Sequence, residues 1–208
     1  MKAENKVPLL IILAGGKSSR MEEPKGLLKH NNTFWFLSQV ETFIGTEVHL
    51  GLGYDSQLYF DAIPWLKDAV QTSIIYKGKK IRVVINLSPE FGLFSTLQSV
   101  LKQVDTNQHV FILPVDVPLF NKKEQKKLSN QECLIVIPKY KEKKGHPIKI
   151  TSEFWQSLLN IDLSDKNARL DYQIKKINPS EISFVEVSDG LCIQNLNTPK
   201  DWQAFISD

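Results

Sequence analysis

The stretch PLLIILAGGKSSRMEEPKGLL, residues 8–28, sets the architecture of this chain. It opens with an apolar run, Leu9 to Ala14, that is too short for a helix and suits a strand buried on both faces, as a parallel sheet requires. Gly15 and Gly16 stand at the carboxyl end of that strand, where open α/β sheets bind their ligands. The stretch therefore predicts an α/β fold with a mostly parallel central sheet and a ligand site at the end of its first strand.

The loop after the strand has the composition of a triphosphate-binding loop. Its two glycines leave room for backbone N–H groups to approach phosphate oxygens, and Lys17, Arg20 and Lys25 supply positive charge. It is not a Walker loop, because Ile11 stands where that motif needs its first glycine, and the G-x-G-x-x-G pattern of dinucleotide sites is absent from the sequence. An ordinary strand-to-helix turn that is merely basic is the alternative.

A longer motif covers this loop and reads Leu13-Ala14-Gly15-Gly16-Lys17-Ser18-Ser19-Arg20-Met21, followed by Pro24-Lys25-Gly26-Leu27-Leu28. It resembles the signature loop of nucleotidyltransferases with a glycosyltransferase-A-like fold, and among them the branch that joins a nucleotide to molybdopterin. The resemblance implies a three-layer α/β/α, Rossmann-like domain over residues 1–208. It also implies that the nucleotide is bound by Leu13, Ala14, Gly15, Gly16, Lys17 and Ser18. Glu22 stands where the family usually has glycine, and an acidic side chain beside a phosphate loop repels the ligand unless it faces solvent.

Length and composition favour one soluble globular domain. The chain has 208 residues, of which 42% are hydrophobic and 24% charged, and its net charge is +3. A small positive charge suits an anionic small ligand, and the sequence has no basic arm that would favour nucleic acid. The apolar run at residues 8–14 is too short for a membrane span, so we expect a cytoplasmic protein. Cys133 and Cys192 lack disulfide or metal spacing and are predicted to be buried thiols.

A second candidate element follows the buried strand predicted at residues 109–115. Asp116 comes at its carboxyl end, which lies on the same edge of the sheet as the glycine loop. A hard cation such as Mg²⁺ takes carboxylate and phosphate oxygens together, so the sequence predicts a metal position at Asp116. Asp116-Val117-Pro118 also matches the D-x-P motif of the family. Taken alone, the motif commonly marks a turn after a strand.

A third segment joins a strand predicted at residues 81–85 to a helix predicted at residues 92–104. In the related molybdopterin enzymes an N-P-x-x-x-x-G-M-x-x-S-L segment closes over the base and ribose, and the resemblance implies that Asn86 and Gly92 bind the nucleotide. Thr96 stands in place of the serine of that segment, and Ser95 beside it is a further candidate for nucleotide binding. By the residues alone, a helix amino terminus with the Ser95 and Thr96 hydroxyls can bind an anion or a ribose. A plain capped helix is the alternative.

Two later motifs point to an acceptor site. Gly145-His146-Pro147 corresponds to the G-H-P of the cytidylyl branch, and the resemblance implies that His146 positions the acceptor's phosphate. A packed histidine that holds the Pro147 turn is the alternative. Arg169 corresponds to the arginine of a G-A-R motif and can bind a phosphate or Asp165. Asn167 stands where that motif has glycine.

The segment Asn195-Leu196-Asn197-Thr198-Pro199 matches the N-x-N-T-P motif of the relatives. There it reaches the rim where metal and pyrophosphate bind, so the resemblance implies that Asn195 and Asn197 are metal ligands beside Asp116. Asparagine and threonine before proline also simply begin helices.

Hydrophobic periodicity predicts the remaining elements. Helices are expected at residues 33–44, at 54–68 with a break at Pro64, at 154–159 and from Pro199 onward. Strands are expected at 47–52, 134–137 and 148–150, and a hairpin is expected from strands at 182–187 and 191–194. The lysines of residues 139–144 are interpreted as a mobile basic loop, and residues 76–80 as a solvated turn.

The resemblance implies a reaction in which a nucleoside monophosphate passes from a nucleoside triphosphate to a phosphate-bearing acceptor, with release of pyrophosphate. Gly15, Gly16 and Arg20 would hold the triphosphate, Lys25 would neutralise charge at the phosphorus, and Asp116 would carry Mg²⁺. Arg20, Lys25 and Asp116 are thus the expected catalytic residues.

Substrates follow from the same resemblance. The Pro24-Lys25 pair, the Asn86 segment and the G-H-P motif favour CTP, whereas the N-x-N-T-P motif favours GTP. The expected acceptor is molybdopterin, with a molybdoenzyme or its chaperone as an expected protein partner. Two alternatives remain open. One is a sugar- or polyol-phosphate nucleotidyltransferase, and the other is a degenerate homologue that binds a nucleotide without turnover, which Glu22 and Asn167 motivate.

Overall fold

The structure is a computed structural model that describes residues 7–21 and 23–207. Its strands, in chain order, are β1 (Leu9–Ala14), β2 (Lys29–His30), β3 (Thr33–Phe34), β4 (Glu47–Leu52), β5 (Ile74–Tyr76), β6 (Lys79–Ile85), β7 (Val110–Pro114), β8 (Ile135–Tyr140), β9 (Lys143–Lys144), β10 (Ile148–Ile150) and β11 (Ile182–Glu186). The α-helices of the described residues are α1 (Trp35–Thr42), α2 (Ser56–Ala62), α3 (Asp68–Gln71), α4 (Leu93–Leu101), α5 (Lys122–Ser129), α6 (Ser152–Leu158), α7 (Leu170–Lys175) and α8 (Pro199–Ser207).

One mixed sheet runs through the molecule in the order β11-β8-β10-β7-β1-β4-β6-β5, with β9 paired to β8. Strand β1 lies at its centre and pairs in parallel with β4 and with β7. Strand β10 is antiparallel to both of its neighbours, and β5 is antiparallel to β6. The mostly parallel central sheet predicted from the sequence is confirmed.

The register between β1 and β7 determines where the functional loops meet. Leu13 lies opposite Pro114, and the Val115 amide donates to the Leu13 carbonyl over 3.0 Å. Gly15 and Asp116 each lie two residues beyond that pair. They therefore leave the sheet side by side at its carboxyl edge.

Side chains of β1 alternate between two cores, because successive residues of a strand face opposite sides of a sheet. Leu10 and Ile12 pack in the core beneath α1, α2, α3, α5 and α8. Leu9, Ile11 and Leu13 pack in the core beneath α4, α6 and α7. All six residues of β1 are buried, and the three-layer α/β/α architecture is confirmed.

Two segments differ from their predictions. Residues 190–193 form a 3₁₀ turn rather than a strand, because the Asp189 carboxylate accepts from the Leu191 amide over 3.0 Å and turns the chain. The lysine run is not a loop: β8 continues to Tyr140 and pairs with β9 through a tight turn. Lys141 and Glu142 make that turn with φ values of 47° and 65°.

The remaining expectations are close to the structure. The segment at residues 54–68 is indeed interrupted, since α2 ends at Ala62 and a 3₁₀ turn begins at Pro64. Cys192 is buried and Cys133 partly buried, and both are free thiols. Among the described helices, none combines the length and apolar character that a membrane crossing needs.

Candidate active site

A small cavity of about 110 Å³ opens at the carboxyl ends of β1 and β7. Gly16, Lys17 and Ser18 line it from the glycine loop, and Lys25 and Asp116 line it from the other side. The glycine loop and the carboxylate about a hundred residues later therefore share one rim, as the sequence suggested. A cavity with two cations, exposed backbone and two carboxylates, those of Asp55 and Asp116, has the chemistry of a site that holds a polyphosphate with its countercharge.

The glycine loop is shaped by what lies behind it. A Cβ at Gly15 would overlap the Thr96 side chain, so only glycine allows this close approach. Among the described atoms none lies within 4 Å of a Cβ built on Gly16, which leaves the backbone there open to a ligand. The Ser18 hydroxyl accepts from the Lys25 amide over 3.2 Å and ties the start of the loop to its end.

Four side chains, those of Arg20, Lys25, Asp116 and Asn197, converge at the rim. The Lys25 ammonium donates to Asp116 Oδ2 over 2.8 Å and to Asn197 Oδ1 over 2.7 Å. Arg20 Nη2 donates to the same Asn197 oxygen over 3.4 Å. One carboxylate oxygen and one amide oxygen thus already surround a single cation, which here is the lysine.

A backbone hydrogen bond joins the Asn197 segment to the Asp116 turn, and a side chain of the following helix holds the segment in place. The Leu196 amide donates to the Asp116 carbonyl over 2.8 Å, and the Asp201 carboxylate accepts from the Asn197 amide over 3.1 Å. Asn195 is exposed, and its amide donates to the Ile193 carbonyl over 3.4 Å. The structure therefore brings Asn197, rather than Asn195, into the contact with Lys25.

The donor set limits how a cation can be held. In the described ranges, no group of three or more histidine, cysteine, aspartate or glutamate side chains could hold a metal ion by itself. Asp116 and Asn197 offer two oxygens, which fits a hard cation that completes its coordination with phosphate and water.

Asn86 and Ser95 are buried in the strand-to-helix junction rather than open to the cavity. Asn86 Nδ2 donates to the hydroxyls of Ser95 and Thr96 over 2.8 and 3.0 Å, and its Oδ1 accepts from the Ser88 amide over 2.9 Å. The Ser95 hydroxyl donates within the same junction. These groups hold Thr96 behind Gly15, and Gly92 immediately precedes α4 with φ of 80°.

A second cavity of about 590 Å³ adjoins the first. Its lining includes Gly92, His146 and Arg169, so the two residues expected at the acceptor site lie in one cavity. Leu13, Leu93 and Pro114 line both cavities. A ligand in the second cavity can therefore reach the phosphates of a ligand in the first.

His146 is a neutral ring at neutral pH. Burial lowers its pKa from 6.5, against the opposing effects of the Ile112 carbonyl and of the Asp116 charge. Because a carbonyl only accepts, the contact of 3.5 Å to Ile112 means that Nδ1 carries the proton. In that tautomer Nε2 can only accept a hydrogen bond. Cationic side chains are therefore better hydrogen-bond donors than His146 to the phosphate of an acceptor substrate.

Arg169 lies at the mouth of the second cavity and is largely exposed. Its Nε and Nη2 donate to the Asp171 carboxylate over 3.0 and 3.2 Å, so its partner is Asp171 rather than Asp165. Asn167 does not have positive φ, and a glycine is therefore not needed at this position. Glu22, the other departure from the family pattern, lies outside the described residues.

Asp55 and Tyr59 also line the small cavity and were not predicted as site residues. Asp55 follows the end of β4, the strand beside β1, so a polar residue after a buried strand was the available signal. Tyr59 belongs to α2, and burial raises the pKa of its hydroxyl. No pattern in the sequence indicates which face of α2 meets the loop.

Comparison with known proteins agrees with this geometry. The model of the MobA-like NTP transferase domain matches residues 10–176. A molybdenum cofactor guanylyltransferase of Campylobacter jejuni subsp. jejuni is 26% identical over 204 residues, which cover 95% of each chain.

Solved structures share the fold over nearly the whole chain. Rv0371c from Mycobacterium tuberculosis H37Rv aligns with a TM-score of 0.72 at 18% identity and covers 98% of this chain and 99% of its own. A nucleotidyl transferase from Methanothermobacter thermautotroptrophicus aligns with a TM-score of 0.71 at 16% identity and covers 96% of this chain and 95% of its own. The fold is that of a nucleotidyltransferase, and, because the family model spans most of its length, this chain belongs to the MobA-like NTP transferase family.

Proposed function

We propose that this protein transfers a nucleoside monophosphate from a nucleoside triphosphate to a phosphate-bearing acceptor of the molybdopterin type and releases pyrophosphate. The observation that carries the proposal is the contact of Lys25 with Asp116 and Asn197 at the rim of the glycine loop. Three segments distant in the sequence meet there around one cation. That arrangement suits the binding of a polyphosphate with its countercharge.

The bond changes of the reaction are simple. An oxygen of the acceptor phosphate forms a bond to the α-phosphorus, and the bond from that phosphorus to the oxygen bridging to the β-phosphate breaks. Pyrophosphate leaves with the bond's electron pair. The acceptor phosphate is already ionised at neutral pH, so no protein base is needed.

The chain's own residues would contribute binding and charge. Backbone N–H groups at Gly15 and Gly16 and the Arg20 guanidinium hold the triphosphate oxygens. Lys25 exchanges its contact with Asp116 for one with a phosphate oxygen and neutralises charge as it develops.

We also propose Mg²⁺ as the cofactor. Asp116 and Asn197 would hold it, because their oxygens already converge on one cation and phosphate oxygens can complete the set. When bound, Mg²⁺ supplies charge neutralisation of the triphosphate.

CTP is the donor that we propose first, on the match of Gly145-His146-Pro147 and of the Asn86 segment to the cytidylyl branch. GTP is the second candidate, because the Campylobacter relative is named a guanylyltransferase and the Asn195 to Pro199 motif resembles the guanylyl enzymes. A partner molybdoenzyme or its chaperone would receive the product.

Pyrophosphate release tests the proposal directly. Purified protein is incubated with Mg²⁺, molybdopterin and, in separate reactions, CTP, GTP, ATP or UTP. We expect pyrophosphate release with CTP, and only when the acceptor is present. If GTP were the one triphosphate that supports release, the donor would be GTP. Nucleotide binding without release from any triphosphate would overturn the proposal in favour of a binding protein.

A further inference from the structure

The second cavity is unlike the first in its chemistry. Its walls are formed by aliphatic and aromatic side chains from β1, α4, β7, β8, β10 and α7, namely Leu13, Phe94, Leu97, Ile112, Ile137, Ile148 and Ile174. Among the described residues that line it, none is serine, threonine, asparagine, glutamine or tyrosine. The cavity therefore offers a ligand contact area but few uncharged hydrogen-bonding groups.

Apart from the neutral ring of His146, its polar side chains are charged and lie toward the opening. Lys144, Arg169 and Lys175 are exposed cations, and Asp171 is the one carboxylate among the described lining residues. Asp171 pairs with Arg169 over 3.0 Å and with Lys175 over 4.0 Å. The Arg169 side chain is 69% exposed, so a ligand phosphate can exchange for this weak surface pair. The mouth thus has a positive surplus that suits a phosphate group.

Two apolar side chains at the opening extend this surface. Phe91 and Leu93 line the cavity, yet 44% and 43% of their surfaces remain exposed. Leu93 also lines the phosphate cavity. A ligand placed here would cover these side chains with its apolar surface and could hold its phosphate between the charged opening and the phosphate cavity, as the proposed reaction requires.

A ligand with several hydroxyl groups is a poor fit for such walls. Each hydroxyl that loses water without gaining a partner weakens binding, whereas an apolar surface gains affinity as it leaves water. The size of the cavity is that of a small-molecule site.

We propose that the second cavity binds an acceptor phosphate monoester whose body is apolar, aliphatic or flat-ringed, and that it rejects sugar and polyol phosphates. The inference rests on the proposed function, because it assumes that the ligand of this cavity is the acceptor. A polyol phosphate does not fit these walls, whereas a pterin ring fits when its faces lie against them and its polar edge lies toward His146 and the charged opening.

Ligand affinity can be measured without turnover. Fluorescence of 1-naphthyl phosphate reports its binding to the full chain, and hexyl phosphate, ribitol 5-phosphate and inorganic phosphate serve as competitors. The naphthyl and hexyl compounds distinguish a flat-ringed body from an aliphatic one. We expect both to bind at least about tenfold more tightly than ribitol 5-phosphate.

A matched pair of variants places the binding in this cavity. Ile148→Thr and Ile148→Val give side chains of nearly the same shape, and only threonine adds a hydroxyl to the wall. We expect Ile148→Thr to bind naphthyl phosphate roughly fivefold more weakly than Ile148→Val, with equal CTP affinity in both. Equal melting temperatures would show that both variants are folded.

Ribitol 5-phosphate binding as tightly as the apolar compounds, or equal naphthyl affinity of the two variants, would overturn the inference. Either result leaves nucleotidyl transfer untouched, since that is tested by pyrophosphate release. Conversely, absence of release from every triphosphate overturns the proposed function while the preference among phosphates can still be measured.

Discussion

At the scale of single residues, Lys25 has two roles that it cannot fill at the same time: it pairs with Asp116 and Asn197, and it would contact phosphate. In the structure its ammonium lies between Asp116 and Asn197, the position that we propose for Mg²⁺, and in the proposed reaction it would contact phosphate. A free lysine ammonium and a divalent cation repel each other at this distance. The metal would therefore enter together with the nucleotide.

Replacing this lysine separates the two roles. We expect Lys25→Met to bind Mn²⁺ more tightly than the parent protein in the absence of nucleotide, because the Asp116 carboxylate is no longer paired. Turnover should fall by about 10²–10³-fold, since one charge at the phosphates is lost. Electron paramagnetic resonance of Mn²⁺ measures the affinity, and the exposed Lys67→Met is the control. Unchanged Mn²⁺ affinity would contradict the placement of Lys25 in the metal position.

The two glycines of the loop should differ in what they tolerate. Gly15→Ala forces a Cβ into Thr96 and should lower the free energy of unfolding by about 1–3 kcal/mol. Gly16→Ala meets open space, so its stability should stay near that of the parent while triphosphate affinity falls. Thermal melting of both variants checks this difference, and equal melting temperatures would show that Thr96 does not press on the loop.

At the scale of elements, the junction of β6 with α4 positions Thr96 behind the glycine loop through hydrogen bonds among buried groups. Asn86→Ala leaves the Ser88 amide without its acceptor and takes away the donor to the Ser95 and Thr96 hydroxyls, so it should lower stability by about 1–3 kcal/mol. Because Thr96 loses its fixed position behind Gly15, KM for the triphosphate should rise more than kcat falls. The exposed Asn107→Ala is the control, and a larger effect on kcat than on KM would contradict a positioning role.

The elements also show where sequence reasoning works. Strands β1 and β7 are continuous apolar runs that end in Gly15 and in Asp116, so both the strands and the shared rim were predictable. The hairpin of β8 and β9 was not, since its lysine-rich strand lacks apolar alternation and its pairing is made by the backbone. A hydrophobic pattern also could not show that the Ser95 hydroxyl turns into the junction, because that depends on the phase of α4 against β6.

At the scale of the whole molecule, histidines link stability to pH. Burial lowers the pKa of each of the four histidines, most clearly that of His49, which falls from 6.5 to about 4. As the pH falls through about 6.5, the histidines of the unfolded chain therefore bind protons while those of the folded chain stay neutral. Stability is fully present above that pH and is lost as the pH falls toward the folded values.

His49 alone should account for about 2 kcal/mol of lost stability at pH 5 relative to pH 7. Denaturant unfolding at pH 7, 6 and 5 measures the slope, and His49→Gln should flatten it in this window. The pKa values of the Glu41 and Glu47 carboxyls are lowered from 4.5, so these groups affect stability mainly below pH 5. Between pH 5 and pH 7 the change in stability therefore comes mainly from the histidines. An identical slope in the variant would assign the effect to other groups.

The whole molecule brings three distant segments to one edge of the sheet, and Asp116 is the group on which they converge. The most direct measurement is the steady-state rate of pyrophosphate release by Asp116→Asn, compared with the exposed Asp61→Asn. We expect Asp116→Asn to remain folded and to lose about 10²-fold or more in kcat, because a neutral amide holds neither the cation nor Lys25 as the carboxylate does. A rate within a few-fold of that of Asp61→Asn would contradict the assignment of this edge as the active site.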